Sequence, residues 1–258
     1  MPVLKAGILI IGSLLWDDAG REDWRRRRLC LESRQQVQVH TRYGRLSQSR
    51  NHTYTMVFSK SAAPSTAVVA PCRKSIRAAE DLFEEAGHLA MAEGLADKAK
   101  WLSFGAVGIL ITRSSPSAAD LLPSWSEYFR DHLNGKCEAT RKGAPGESPS
   151  LGEDGLLNVV WPINKRLGAP NDCDVLLATA NAPDLNADRT YPSPRQIAQR
   201  FLDSQYITYF SQNVRHGIFT ADDSAIWQYI KAARPSWIEP AEAEEIESAI
   251  HQSRDAAF

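Results

Sequence analysis

Apolar and polar positions along this chain fall into blocks that predict strands first and helices later. Val3–Ile11 is an almost unbroken apolar run closed by Gly12-Ser13, the pattern of a buried strand ending in a tight turn. Gln36–Tyr43 sets Val37, Val39 and Thr41 between Gln38, His40 and Arg42, the period of a half-buried strand. His52–Phe58 and Ser65–Ala70 predict two more strands. In Ile76–Gly94, the residues Ala79, Leu82, Phe83, Ala86, Leu89 and Ala90 recur at helical spacing, with Ser75 placed to cap and Gly94 to stop the helix. Ala106–Thr112 returns to strand. Ser115–Leu133 carries Leu121, Leu122, Trp125, Phe129 and Leu133 on one helical stripe.

Further on, Leu156–Trp161 and Val175–Ala180 predict strands. Ser193-Pro194-Arg195-Gln196 is a capping signature that opens a helix bearing Ile197, Phe201 and Leu202. Thr220–Ala233 and Ala241–Ser253 read as amphipathic helices. Strands and helices do not alternate strictly, which argues against a doubly wound sheet. The order predicts an α+β fold: a mixed β-barrel of about seven strands with surrounding helices and a C-terminal helical extension.

Gly135–Gly155 is rich in Gly, Pro, Ser and charge, so residues 135–155 are expected to be a flexible loop. It separates residues 1–134 from 156–258. Because strands are predicted on both sides, one domain is expected rather than two.

Charge narrows the choice of partners. The 258 residues hold 30 Lys and Arg against 31 Asp and Glu, a net charge of -1. Such a chain has no global attraction for nucleic acid or an anionic membrane. Trp24-Arg25-Arg26-Arg27-Arg28 is a lone basic run with Asp17, Asp18, Glu22 and Asp23 just upstream; no nucleic-acid partner is expected. Cys30, Cys72, Cys137 and Cys173 form no CxxC pair, and the histidines form no HxH, HExxH or HxxxH group. No metal, neither structural zinc nor attached haem, is therefore expected, and scattered cysteines suit a reducing compartment. The longest apolar stretch, Ala6–Trp16, is short of the roughly 20 residues that span a bilayer. Asp17-Asp18 follows it where a signal peptide would need small residues. A cytoplasmic location is expected.

The segment Gly12-Ser13-Leu14-Leu15-Trp16, which closes the first strand, is the most informative about chemistry. A strand ending in Gly-Ser turns its backbone amides toward one point, where they can meet an anion, and Ser13 adds a hydroxyl. Its alternative is an ordinary turn after a strand. Arg45 and Arg50 lie in Tyr43-Gly44-Arg45-Leu46-Ser47-Gln48-Ser49-Arg50, a polar turn that is either a solvated hairpin loop or the rim of a pocket for a carboxylate.

Gly12-Ser13-Leu14-Leu15-Trp16 resembles the Tyr-Gly-Ser-Leu signature of the gamma-glutamyl cyclotransferase-like superfamily. Glu93-Gly94, at the end of the long helix and before a strand, resembles that family's catalytic Glu and the Gly after it. The resemblance covers Lys5–Arg113, with Ile11 where the family commonly has Tyr. It implies that Glu93 is catalytic, with Glu85 as second choice. It also implies that Gly12, Ser13, Leu14 and Leu15 bind substrate, with Arg45 and Arg50 as candidates beside them. The implied reaction closes a gamma-glutamyl amide on its own α-amine, giving 5-oxoproline and a free amine, as a transferase or lyase. One carboxylate serves as base and then acid, and no cofactor is needed. The partner is then a small-molecule substrate, and a homodimer is compatible with the sequence. The alternative is a catalytically inactive member of the same fold that binds a small molecule or a protein, a reading favoured by Ile11 and by the long C-terminal region outside the resemblance.

Overall fold

The apolar run near the N-terminus becomes a strand at the centre of a sheet, β1 (Ala6–Ile10), with every residue buried. A strand paired on both edges and covered on both faces has no use for a polar side, and this run has none. The computed structural model describes residues 3–95, 105–112, 114–133 and 137–255. Within them β1 pairs antiparallel with β4 (Pro64–Pro71) and parallel with β8 (Val175–Asn181). The pairing path runs from β5 (Gly105–Ile111) through β8, β1 and β4 to β2 (Gln35–Ser47), then to the two-residue strands β6 (Ile163–Asn164) and β7 (Ala169–Pro170). A further strand, β3 (Thr53–Phe58), pairs with β2 outside this path.

The fold is α+β with a mixed sheet, but the expected barrel does not close. β5 and β7 stand at opposite ends of the path, and no pairing joins them among the described residues. The cause lies in β2. Its first half, Gln35–His40, pairs with β4, while Thr41–Ser47 pairs with β3, and the register shifts between Tyr43 and Arg45. A bulge bends and twists the strand that carries it. A Cβ on Gly44 would lie 2.7 Å from Val57 Cγ2, so only glycine fits at the shift. β2 therefore leaves β4 midway instead of carrying the sheet round to close.

Two helices lie in the first half of the chain, α1 (Glu22–Arg28) and α2 (Ala79–Ala92). α2 buries Leu82, Glu85, Ala86, Leu89 and Ala90; each leucine stabilises the fold by roughly 1.5–3 kcal/mol. The helix starts after Ala78, later than Ser75, because Asp81 Oδ2 accepts the amides of Arg77 and Ala78 at 2.8 and 3.1 Å. Its end is as expected. Gly94 has φ +71, its N–H donates to Met91 O at 2.9 Å, and Leu95 N–H donates to Ala90 O at 2.7 Å. That doubly bonded glycine ending fixes Glu93 as the last residue before the chain turns away.

The stripe over Ser115–Leu133 splits into α3 (Pro116–Ala119) and α4 (Leu122–Leu133). α5 (Pro194–Ser204) has the expected cap: Ser193 Oγ accepts Gln196 N–H at 3.3 Å, and Gln196 Oε1 accepts Ser193 N–H at 2.8 Å. α6 (Thr208–Arg215) was not expected, and α7 (Asp223–Ala233) and α8 (Pro240–Asp255) complete the C-terminal layer. Leu156–Trp161 is not a strand. Its backbone makes only isolated bridges, Ile109 to Leu156 and Leu151 to Leu157.

Residues 135 and 136 of the expected loop lie outside the described residues. The rest of that segment is tied to the fold. Trp125 Nε1 donates to Gly155 O at 3.1 Å, and the Glu147 carboxylate accepts Ser59 Oγ at 2.8 Å and Tyr191 Oη at 3.0 Å. No helix among the described residues is long and apolar enough to cross a membrane.

Candidate functional site

The turn after β1 is a single 3-10 turn, Ser13–Leu15. The Leu15, Trp16 and Asp17 amides donate within it, to Gly12 O and Ser13 O at 2.8–3.2 Å. That leaves the Ser13 and Leu14 amides as the donors this turn can present to a ligand. Arg25, buried in α1, holds the turn from behind: its Nη1 donates to Leu14 O at 3.0 Å and to Asp17 O at 2.8 Å, and Nη2 pairs with Asp18. The basic run thus finds its partners within the chain. Arg26 and Arg27 pair with Asp23, and Arg28 Nη2 meets Glu85 at 2.5 Å.

In front of the turn lies a cavity of about 680 Å³. Gly12, Ser13, Leu14, Arg45, Arg50 and Glu93 all line it. Leu15 does not; it is buried on the far side of the turn. Glu85 does not line it either, being held by Arg28 behind the helix. Three separate elements bring the lining residues together: β1 delivers the turn, the second half of β2 and its following loop deliver Arg45 and Arg50, and the glycine-terminated end of α2 delivers Glu93.

The electrostatics of the cavity follow from who faces whom. Asp17 Oδ2 accepts Arg21 Nη1 at 2.5 Å and Arg50 Nη2 at 2.9 Å. Burial pushes the Asp17 carboxyl up, but hydrogen bonds from Arg50 and the Ala19 amide, with the charges of Arg21 and Arg50, outweigh it and hold it below the usual carboxylate range. One anion thus serves two cations, and the cavity lining carries both signs, with Arg21, Arg45 and Arg50 facing it together with Glu93, Glu138 and Asp184. The Arg50 guanidinium carbon also lies 5.3 Å from the ring centroids of both Trp16 and Tyr209, so its head is held in place before any ligand arrives.

Glu93 is different. Burial raises its pKa above the ordinary value; the charge of Arg21, the neighbouring Thr179 hydroxyl, Arg45 and Arg50 each pull it down without cancelling that rise. The C-terminal end of α2 adds a partial negative charge at the same place. A carboxyl whose pKa is moved toward neutrality can both take and give a proton near working pH.

Several residues at this site carry no motif. Arg21 donates from Nε to Ala92 O at 2.9 Å, which seats its charge beside Glu93. Tyr209, from the unexpected helix α6, lines the cavity, and its Oη accepts Met56 N–H at 3.2 Å. A Cβ on Gly12 would come within 2.5 Å of that oxygen, so glycine is required where the tyrosine crosses the turn. Thr179 and Asn181, at the end of β8, also line the cavity. Their only trace in the sequence is a pair of polar residues ending an otherwise apolar strand. Among the described residues, no group of three or more His, Cys, Asp or Glu side chains is placed to hold a metal ion.

The chain was compared with protein-family models, with curated proteins and with solved structures, and none matches.

Proposed function

We propose that this protein is a small-molecule enzyme of gamma-glutamyl cyclotransferase type, with Glu93 as its proton shuttle. The observation that carries the reading is the convergence of the Gly12–Leu14 turn, Arg45, Arg50 and Glu93 on one cavity. A gamma-glutamyl amide brings its own nucleophile. Its α-ammonium gives a proton to the Glu93 carboxylate, and the freed amine attacks the side-chain carbonyl carbon. The ring nitrogen sheds a second proton as the C–N bond to the leaving amine breaks. Both protons end on that amine, relayed by Glu93. The Ser13 and Leu14 amides suit the developing oxyanion, and the arginines suit the substrate's carboxylate. No step requires a cofactor. Four cysteines that form no disulfide fit a cytoplasmic setting for this reading.

A second reading is a binding protein that keeps the cavity without turnover; it is favoured by Ile11 in place of the family's tyrosine. The two separate on one assay. Release of 5-oxoproline is measured from a panel of gamma-glutamyl amides and dipeptides with the wild type and with Glu93→Gln. The glutamine keeps the shape and loses the proton transfer, so a loss of at least about 100-fold is expected. Turnover equal in the two proteins removes Glu93 from the chemistry. No turnover on any substrate leaves the binding reading.

A further inference from the structure

Eight buried side-chain polar atoms among the described residues have no hydrogen-bond partner, and two of them, Thr179 Oγ1 and Asn181 Oδ1, belong to residues that line the cavity. The residues sit two apart on β8, so their side chains leave the strand on one face. Thr179 is only 6% exposed. Three other hydroxyls lining the cavity are partnered: Thr55 Oγ1 donates to Arg45 O at 3.1 Å, and the Ser47 and Ser49 hydroxyls lie 3.2 Å apart. An unpaired buried polar atom opposes folding, and two side by side in one cavity call for an explanation.

We infer that Thr179 and Asn181, together with Glu93, form a subsite for a primary ammonium group, the α-ammonium of the ligand. The inference rests on the reading of the cavity as a gamma-glutamyl site and specifies which wall takes which end. A hydroxyl, a side-chain amide oxygen and a carboxylate are three acceptors, and an ammonium has three donors to give. Thr179 stands beside the Glu93 carboxyl, close enough to lower its pKa, so the ammonium at this subsite lies next to the group that must take its proton. Arg45 and Arg50 line the same cavity from β2 and the loop after it and offer donors only. Thr179 and Asn181 add acceptors beside Glu93, while Arg45 and Arg50 add donors beside Asp184, so an α-amino acid head finds partners for both its ammonium and its carboxylate. The same arrangement rejects an N-acylated head, whose nitrogen has one donor and no charge.

The test compares L-glutamate with glutarate, which differ only by the α-amine and carry no amide to cyclise. Affinities are measured by ligand-observed NMR titration on the wild type, Thr179→Val and Thr179→Ser. Valine is expected to weaken L-glutamate about tenfold, or about 1.4 kcal/mol. Glutarate should stay within about twofold, and serine should restore the preference. Thermal unfolding of the ligand-free proteins checks that valine folds. Asn181→Leu should show the same selective loss. Equal weakening of both acids, unchanged L-glutamate affinity in Thr179→Val, or no binding of either acid to the wild type overturns the subsite. 5-Oxoproline release is read on the same preparations. Turnover without amine selectivity removes the subsite and spares the enzyme reading. Amine selectivity without turnover does the reverse.

Discussion

Gly12→Ala is expected to damage the protein through one oxygen atom, and a second substitution should repair it. The new Cβ would lie 2.5 Å from Tyr209 Oη and 3.3 Å from Cζ. To regain ordinary contact the hydroxyl must retreat by about 0.9 Å. It has little freedom to do so. The Tyr209 ring meets Trp16 edge-on at 6.1 Å and Tyr43 at 6.4 Å, and it is 3% exposed. Forcing an extra methyl into such packing costs about 1–3 kcal/mol. The retreat also strains the 3.2 Å bond from Met56 N–H, worth about 1 kcal/mol more. Tyr209→Phe alone leaves the Met56 amide unpaired, at about 1–3 kcal/mol. In the double variant the clashing oxygen is gone, so the alanine should add little to the cost of the phenylalanine. Urea unfolding followed by tryptophan fluorescence gives the four stabilities of the cycle. The expected coupling is about 1–3 kcal/mol in favour of the double variant. Costs that add to within about 0.5 kcal/mol would refute the steric account, and with it the claim that Gly12 is glycine because of Tyr209.

Two further outcomes follow from the same site. Glu93 must be ionised to accept a proton from the ammonium, so kcat/KM for 5-oxoproline release should rise with pH through a limb whose midpoint lies above the ordinary glutamate value of 4.5. Arg21 is the largest influence holding that pKa down; Arg21→Gln should therefore move the limb to higher pH and Arg21→Lys should move it less, while a limb that stays put or moves to lower pH contradicts the assignment. Arg25→Met should cost about 2–3 kcal/mol in urea unfolding, because the buried Leu14 carbonyl and the half-buried Asp17 carbonyl lose their donor. Arg26→Ala and Arg27→Ala, on exposed side chains, should stay within about 0.5 kcal/mol; equal effects at all three positions would mean that the run acts as a surface and not as a brace.

Local chemistry made much of this protein legible. The unbroken apolar run had to be a doubly covered strand, Ser193 to Gln196 had to open a helix, and Gly94 had to end one, because each depends on neighbours within a few residues. The separate candidates Gly12, Arg45, Arg50 and Glu93 were legible as chemistry for the same reason: turns, guanidinium groups and helix ends announce what they can bind. Long-range placement decided the rest. The barrel fails on a register shift at Gly44, which shows itself only once β2 has two partners. α6 leaves no helical signature in the sequence because its inward residues, Tyr209, Phe210 and Val214, span less than two turns of helix, and aromatic residues favour strands as readily. Leu156–Trp161 has a strand's composition but finds only isolated bridges, since pairing needs a free edge in register and not merely suitable side chains. Arg25 and Arg26 are alike in sequence, yet one is buried and the other exposed, a difference set by which face of α1 meets the turn after β1. Thr179 and Asn181 had no motif at all. Their meaning lies in partners they lack, and a missing partner becomes visible only when every other group has been placed around it.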